Sequence, residues 1–150
     1  YTMLGTTWDR LDLDNRREAQ RKIYQLQSDQ EVRIASAHPN HHLLLDRGTI
    51  DGAAYWPDGP EAYWKDLGSS LEKELSKYDA VIWMESAAAL GIYDGAKSNN
   101  VRFEDPAAAI ESGKKLLSLW GSHRNLKHVG AFSNLDDKVA AVEELLFSLI

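Results

Sequence analysis

The chain has 150 residues, 43% of them apolar and 27% charged, the make-up of an ordinary globular domain with room for one sizeable core. Its net charge of −6 argues against a general nucleic-acid binder, which needs a basic footprint, but leaves room for a small anion held by local Lys or Arg. With no cysteine there is no disulfide framework or thiolate metal site, which fits a reducing cytosol, and no apolar run reaches the ~18 residues of a membrane span.

Residues 1–12 show no clear period. Asp14 or Asn15 can cap a helix that runs to about Ala37, with Ala19, Ile23, Leu26 and Ile34 near one face. His38-Pro39-Asn40 ends it, because the residue before a proline disfavours the α region. Residues 42–46, HLLLD, read as a short buried strand. Asp51 to Gly59 is loop-like. A helix follows from about Glu61 to Lys77, with Tyr63, Leu67, Leu71, Leu75 and Tyr78 recurring nearly every four residues. Residues 80–84, AVIWM, read as a second strand.

Residues 85–104 are irregular and carry Lys97 and Arg102. Asp105-Pro106 is a strong helix start, an acid at the cap and proline in the first turn. Ile110, Leu116, Leu117 and Trp120 lie on that helix's apolar face. Residues 127–132, KHVGAF, read as a third strand. Ser133 or Asn134 caps a last helix, with Asp136 and Asp137 at its positive end. A first helix followed by three strands alternating with three helices predicts a single α/β layered domain with a parallel sheet. In such sheets ligands sit beyond the carboxyl ends of the strands, which are Asp46-Arg47-Gly48, Glu85-Ser86 and Phe132-Ser133.

Asp46 at such an end can hold Mg²⁺ through water or accept a proton from a substrate hydroxyl. Arg47 can grip phosphate or carboxylate with its fork of N–H donors, and Gly48 lets the backbone turn. Asp51 can bind a second hydroxyl or an amine, and Tyr55 and Trp56 can stack on a flat ring. Each has a plainer alternative: Asp46 as a turn cap paired with Arg47, and the aromatics as a cover for the core. Lys97 and Arg102 can bring cations to a transferring phosphoryl group, or be ordinary solvated charges. His38, His41 and His42 crowd one loop without a spaced carboxylate, which argues against a metal site there.

These residues resemble a known family. LLLDRGTIDGAAYWP at 43–57, YDAVIWMES at 78–86 and NNVRFEDPAAAIESGKKLLSLWGSH at 99–123 look like the AAA-type P-loop ATP/GTP-binding proteins related to nicotinamide riboside kinases. The likeness spans residues 15–150. It implies a three-layer P-loop NTPase or kinase-like fold, with ATP or GTP and Mg²⁺ as cofactors and a small nucleoside-like acceptor as partner. It implies a cytoplasmic protein. It places Asp46 near Mg²⁺ or the substrate hydroxyl, Arg47 near phosphates, and Arg102 and Lys97 in a lid over the nucleotide. Asp51, Tyr55 and Trp56 would face the acceptor. One departure is large: the phosphate-cradling G-x-x-x-x-G-K-[ST] loop is absent, and Leu4-Gly5-Thr6-Thr7 does not replace it. The likeness therefore implies that an N-terminal strand and its loop are missing from this domain. Two functions follow as expectations: a phosphoryl transferase acting on a nucleoside-like molecule, or a non-enzymatic nucleotide-binding switch. A third reading is a generic α/β domain in which these residues only pack.

Overall fold

A computed structural model describes residues 11–86, 90 and 106–149. The chain divides into two compact units, one up to Glu74 and one from Leu75 onward.

The first unit is helical. Asp12 caps α1 (Leu13–Ala37), its carboxylate accepting from the Asn15 N–H at 2.8 Å, so the cap falls before the Asp14 or Asn15 expected. The His38 N–H closes the far end on the Ile34 carbonyl. Two short helices follow, α2 (Asp51–Ala54) and α3 (Pro60–Leu67). Pro60 opens α3, where its missing N–H and fixed φ suit the first turn. Gly68 closes it at φ +63°, a left-handed conformation that glycine reaches without a Cβ penalty. Ser70 then caps α4 (Leu71–Leu75), accepting from the Lys73 N–H at 3.2 Å. The single helix expected from Glu61 to Lys77 is therefore two, broken at Gly68.

The core of this unit is aromatic. Tyr63 is 1% exposed and touches three rings edge-on: Trp64 at 4.9 Å, Trp56 at 5.3 Å and Tyr24 at 6.3 Å between centroids. Ile50 and Ala53 are buried as well. Edge-to-face packing sets the positive rim of one ring on the negative face of the next, adding about 0.5–1.5 kcal/mol per pair to area burial.

The second unit holds β1 (Val81–Met84), α5 (Pro106–Trp120), β2 (Leu126–Val129) and α6 (Leu135–Phe147). The two strands pair in parallel, Val81 opposite Leu126 and Met84 opposite Val129. Leu75, Leu116, Leu119, Trp120 and Val129 are its buried apolar residues among those described. Two side chains tie the entries of the strands together. The Asn125 N–H donates to His123 Nδ1 at 3.1 Å, so the ring proton is on Nε2, which donates to the Tyr78 carbonyl at 2.8 Å. The Asn125 side chain also reaches the Asp79 carbonyl. Asn134 caps α6, one of the two candidates, and Asp136 and Asp137 occupy its positive first turn.

The expected three-layer P-loop kinase-like fold is not formed. The described residues are mostly helical and carry one two-stranded parallel sheet. Residues 42–46 are the main departure. They form no strand, with Leu44 74% exposed and Leu45 43%. An apolar run is a buried strand only where a neighbour takes its N–H and C=O groups and covers its side chains. The third expected strand survives as the four residues of β2. No helix among the described residues is long and apolar enough to cross a membrane.

Candidate functional site

The loop from His38 to Ile50 runs into α2 through DRGTID. Its backbone turns at Arg47, which has φ +83° and is the only non-glycine residue at positive φ among those described. The sequence points to Gly48 for that turn. A side-chain-bearing residue there costs on the order of 1 kcal/mol or more and needs surroundings that enforce it. Enforcement comes from both sides. The Asp51 N–H bonds the Gly48 carbonyl at 3.1 Å, and Thr49 and Ile50 are buried immediately after the turn.

This turn sets the Arg47 guanidinium at the mouth of a small pocket in the first unit, with a volume of about 90 Å³. Its walls include Gln20 and Tyr24 from α1, Thr49 from the turn, Asp51 and Tyr55 from α2, and Tyr63 from α3. Arg47 Nη1 lies 3.4 Å from Asp51 Oδ2, a loose ion pair whose carboxylate is mostly covered and whose guanidinium is largely exposed. Burial pulls the Arg47 pKa down, but Asp51, Tyr55 and Asp46 outweigh it and hold the guanidinium above its ordinary value. The pocket therefore carries a permanent cation with fork donors to spare.

Behind the wall lies Glu74, 0% exposed. Three hydroxyls donate to it: Tyr24 at 3.0 Å and Ser69 at 2.5 Å on Oε1, and Thr49 at 2.8 Å on Oε2. Tyr63 donates to the Thr49 carbonyl at 3.2 Å. A buried carboxylate survives in a core only when its lone pairs are filled in this way.

Arg47, Asp51 and Tyr55 thus meet at one pocket. Asp46 is exposed beside Arg47 and is not part of the lining. Trp56 is 5% exposed, packed on Tyr63 with the Arg21 guanidinium 5.5 Å from its ring, so it closes the core from the other side. Lys97 and Arg102 lie outside the described residues. The sequence reading missed Gln20, Tyr24, Thr49 and Glu74. Thr49 sits inside the singled-out motif, but Glu74 on a charged LEKEL helix looks like any solvated acid.

The strand ends of the second unit are held by structural bonds. Glu85 Oε1 is 3.5 Å from His128 Nε2, its Oε2 accepts from the Ala131 N–H, and Lys138 donates to the Glu85 carbonyl at 2.6 Å. No group of three or more His, Asp or Glu among the described residues is placed to hold a metal. Compared with family models, curated proteins and solved structures, the chain matches none.

Proposed function

We propose that the first unit binds a small phosphorylated, nucleoside-like molecule, with Arg47 taking the phosphate. The observation that carries this reading is the positive-φ turn that holds a cation at a pocket mouth beside Asp51 and Tyr55. Strain of this kind persists where the surroundings over-determine it, and it clusters at ligand sites. Guanidinium forks suit phosphate oxygens. Asp51 is placed to accept from a hydroxyl or amine of the same ligand, and Tyr55 to cover its flat part. A site of about 90 Å³ encloses one group of such a ligand and leaves the rest of it outside the cavity, since complete ligand pockets run to ~300–1,000 Å³.

Phosphoryl transfer from ATP or GTP to that molecule is the catalytic form of the proposal. It gives Asp46, next to Arg47, the role of the acid or base near the phosphate. Any Mg²⁺ would arrive on the nucleotide's phosphates and meet Asp46 through water, the way that ion is usually shared between protein and substrate. The loose Arg47–Asp51 pair favours the binding-only form, because its largely exposed guanidinium leaves the site open to solvent.

Arg47→Gly tests the reading. Glycine accepts the φ of +83° without strain, so the fold keeps its stability or gains about 1 kcal/mol while the cation is lost. Titrating inorganic phosphate and AMP into the wild type should shift amide resonances of residues 47–52 saturably. The variant should bind at least ~10-fold more weakly with its melting temperature unchanged or raised. Equal binding by both proteins, or no saturable binding by the wild type, would overturn the site. A nucleoside panel with ATP or GTP and Mg²⁺ then separates the forms: no transfer to any acceptor leaves the binding module.

A further inference from the structure

The far end of α1 runs into a tight turn that carries two imidazoles. His38 is the C-cap, and the His41 N–H bonds the His38 carbonyl at 3.1 Å, closing a four-residue turn over Pro39 and Asn40. Proline at the second position of such a turn presets φ, so the turn is formed before any ligand arrives. It brings the two rings together, with centroids 5.5 Å apart and planes at 80°. Both side chains are exposed, and neither spends a ring nitrogen on a hydrogen bond or an ion pair. His123, by contrast, has both nitrogens engaged.

That separation suits a shared ion. A metal–nitrogen bond of about 2.0–2.1 Å, on a ring nitrogen about 1.1 Å from its centroid, sets two imidazoles on one tetrahedral ion with centroids roughly 5.2 Å apart. The turn already holds the rings close to this spacing, and each exposed ring has two side-chain torsions with which to aim a nitrogen. The helix end adds charge. Carbonyls at the carboxyl end of α1 carry partial negative charge, and no basic residue in its last turn offsets it. Ring spacing and helix end thus favour a cation at the same place. We infer that the turn from His38 to His41 chelates a late first-row divalent ion, Zn²⁺ or Cu²⁺, through one nitrogen of each imidazole, with water completing the coordination. Neutral imidazole suits these ions, whereas Mg²⁺ and Ca²⁺ take oxygen ligands. The missing carboxylate speaks against a closed structural site; this one is open, exchangeable and separate from the Arg47 pocket.

The experiment is titration of the full chain, without a histidine tag, with ZnCl₂, CuCl₂ and MgCl₂ at about pH 7.5, where imidazole ligates in its neutral form. Calorimetry reads affinity and stoichiometry, and imidazole C–H resonances identify the ligands. One Zn²⁺ per chain should shift the His38 and His41 rings saturably, and Mg²⁺ should move neither. Cu²⁺ should bind at least ~10-fold more tightly than Zn²⁺. His38→Ala and His41→Ala should each weaken Zn²⁺ at least ~10-fold. The double variant should lose little more, because either loss breaks the chelate. His42→Ala and the distant His128→Ala should leave affinity within about threefold, and all four single variants should melt with the wild type. Three results would overturn the chelate. Absent saturable Zn²⁺ binding would mean that the rings only pack. One ion per two chains would mean that the ion bridges copies. An equal loss in His42→Ala would mean that the loop gathers metal without the turn.

Discussion

A Cβ placed on Gly52 would meet the Tyr63 ring, with Cζ 2.8 Å away and the hydroxyl nearer still, and Gln20 Oε1 at 3.0 Å. Space, not backbone conformation, demands glycine here. Tyr63 cannot move aside, because three rings and the Thr49 carbonyl hold it. Gly52→Ala is therefore expected to cost about 1–3 kcal/mol, the usual penalty for overpacking a filled core. Tyr63→Phe removes the nearest atom, so the double variant should be at least ~0.5 kcal/mol more stable than the two single losses predict. Chemical denaturation of all four proteins measures this, and strict additivity would show that the clash is relieved elsewhere. The same glycine explains part of what the sequence could reveal. DRGTIDG stood out by its charges, and Arg47, Asp51 and Tyr55 do converge. That the chain turns at Arg47 and not at Gly48, while Gly52 only makes room, depends on surroundings such as the distant Tyr63 and is not readable from the motif.

Among the elements, Gly68 shows why periodicity predicts helices better than their ends. The four-residue recurrence of Tyr63, Leu67, Leu71 and Leu75 continues across the break between α3 and α4 and hides it. A Cβ at Gly68 would meet nothing within 4 Å, so its φ of +63° is the whole of the constraint. Gly68→Ala should cost about 1 kcal/mol, seen as a lower denaturation midpoint at an unchanged slope. No change would mean that the two helices fuse. In α1 the far end near Ala37 was legible, but the cap, Asp12 in place of Asp14 or Asn15, and the covered face were not. Ile23 and Leu26 mark the apolar side, yet they are 36% and 61% exposed, while Gln20 is buried and Tyr24 reaches Glu74. Hydrophobic period finds a face only when apolar contacts make it. Here hydroxyl, amide and guanidinium contacts do, through Arg17 to Asp58 and Arg21 to Asp66. Strand 42–46 fails for the complementary reason: its letters are apolar, but pairing is a property of a second segment.

For the molecule as a whole, the pH dependence of stability should lean on the acid side, and the ion pairs of α1 give its sign. Arg21 grips Asp66 with two bonds of 2.7 Å. The hydrogen bonds from Arg21 pull the Asp66 pKa below its ordinary value, against a smaller opposing effect of desolvation. A carboxylate whose folded pKa is depressed contributes stability that is fully present above its unfolded pKa, near 3.8, and is lost as pH falls through the lower folded value. The guanidinium partners run the other way. Hydrogen bonds to Asp58 and Asp66 raise the pKa values of Arg17 and Arg21 above the ordinary guanidinium value, so their share is present throughout the acid and neutral range and is lost only in strong alkali. These pairs therefore predict no change between pH 6 and 9 and a decline that begins below about pH 4. Asp66→Asn should melt lower than the wild type at pH 6, and the gap should close as pH falls below 3.8. The pair is partly exposed, so the gap is modest and shrinks in 1 M salt. Melting curves from pH 2.5 to 9 at two salt concentrations measure it. A gap that stays constant down to pH 2.5 would mean that the asparagine disturbs packing and that the charge on Asp66 stabilises nothing.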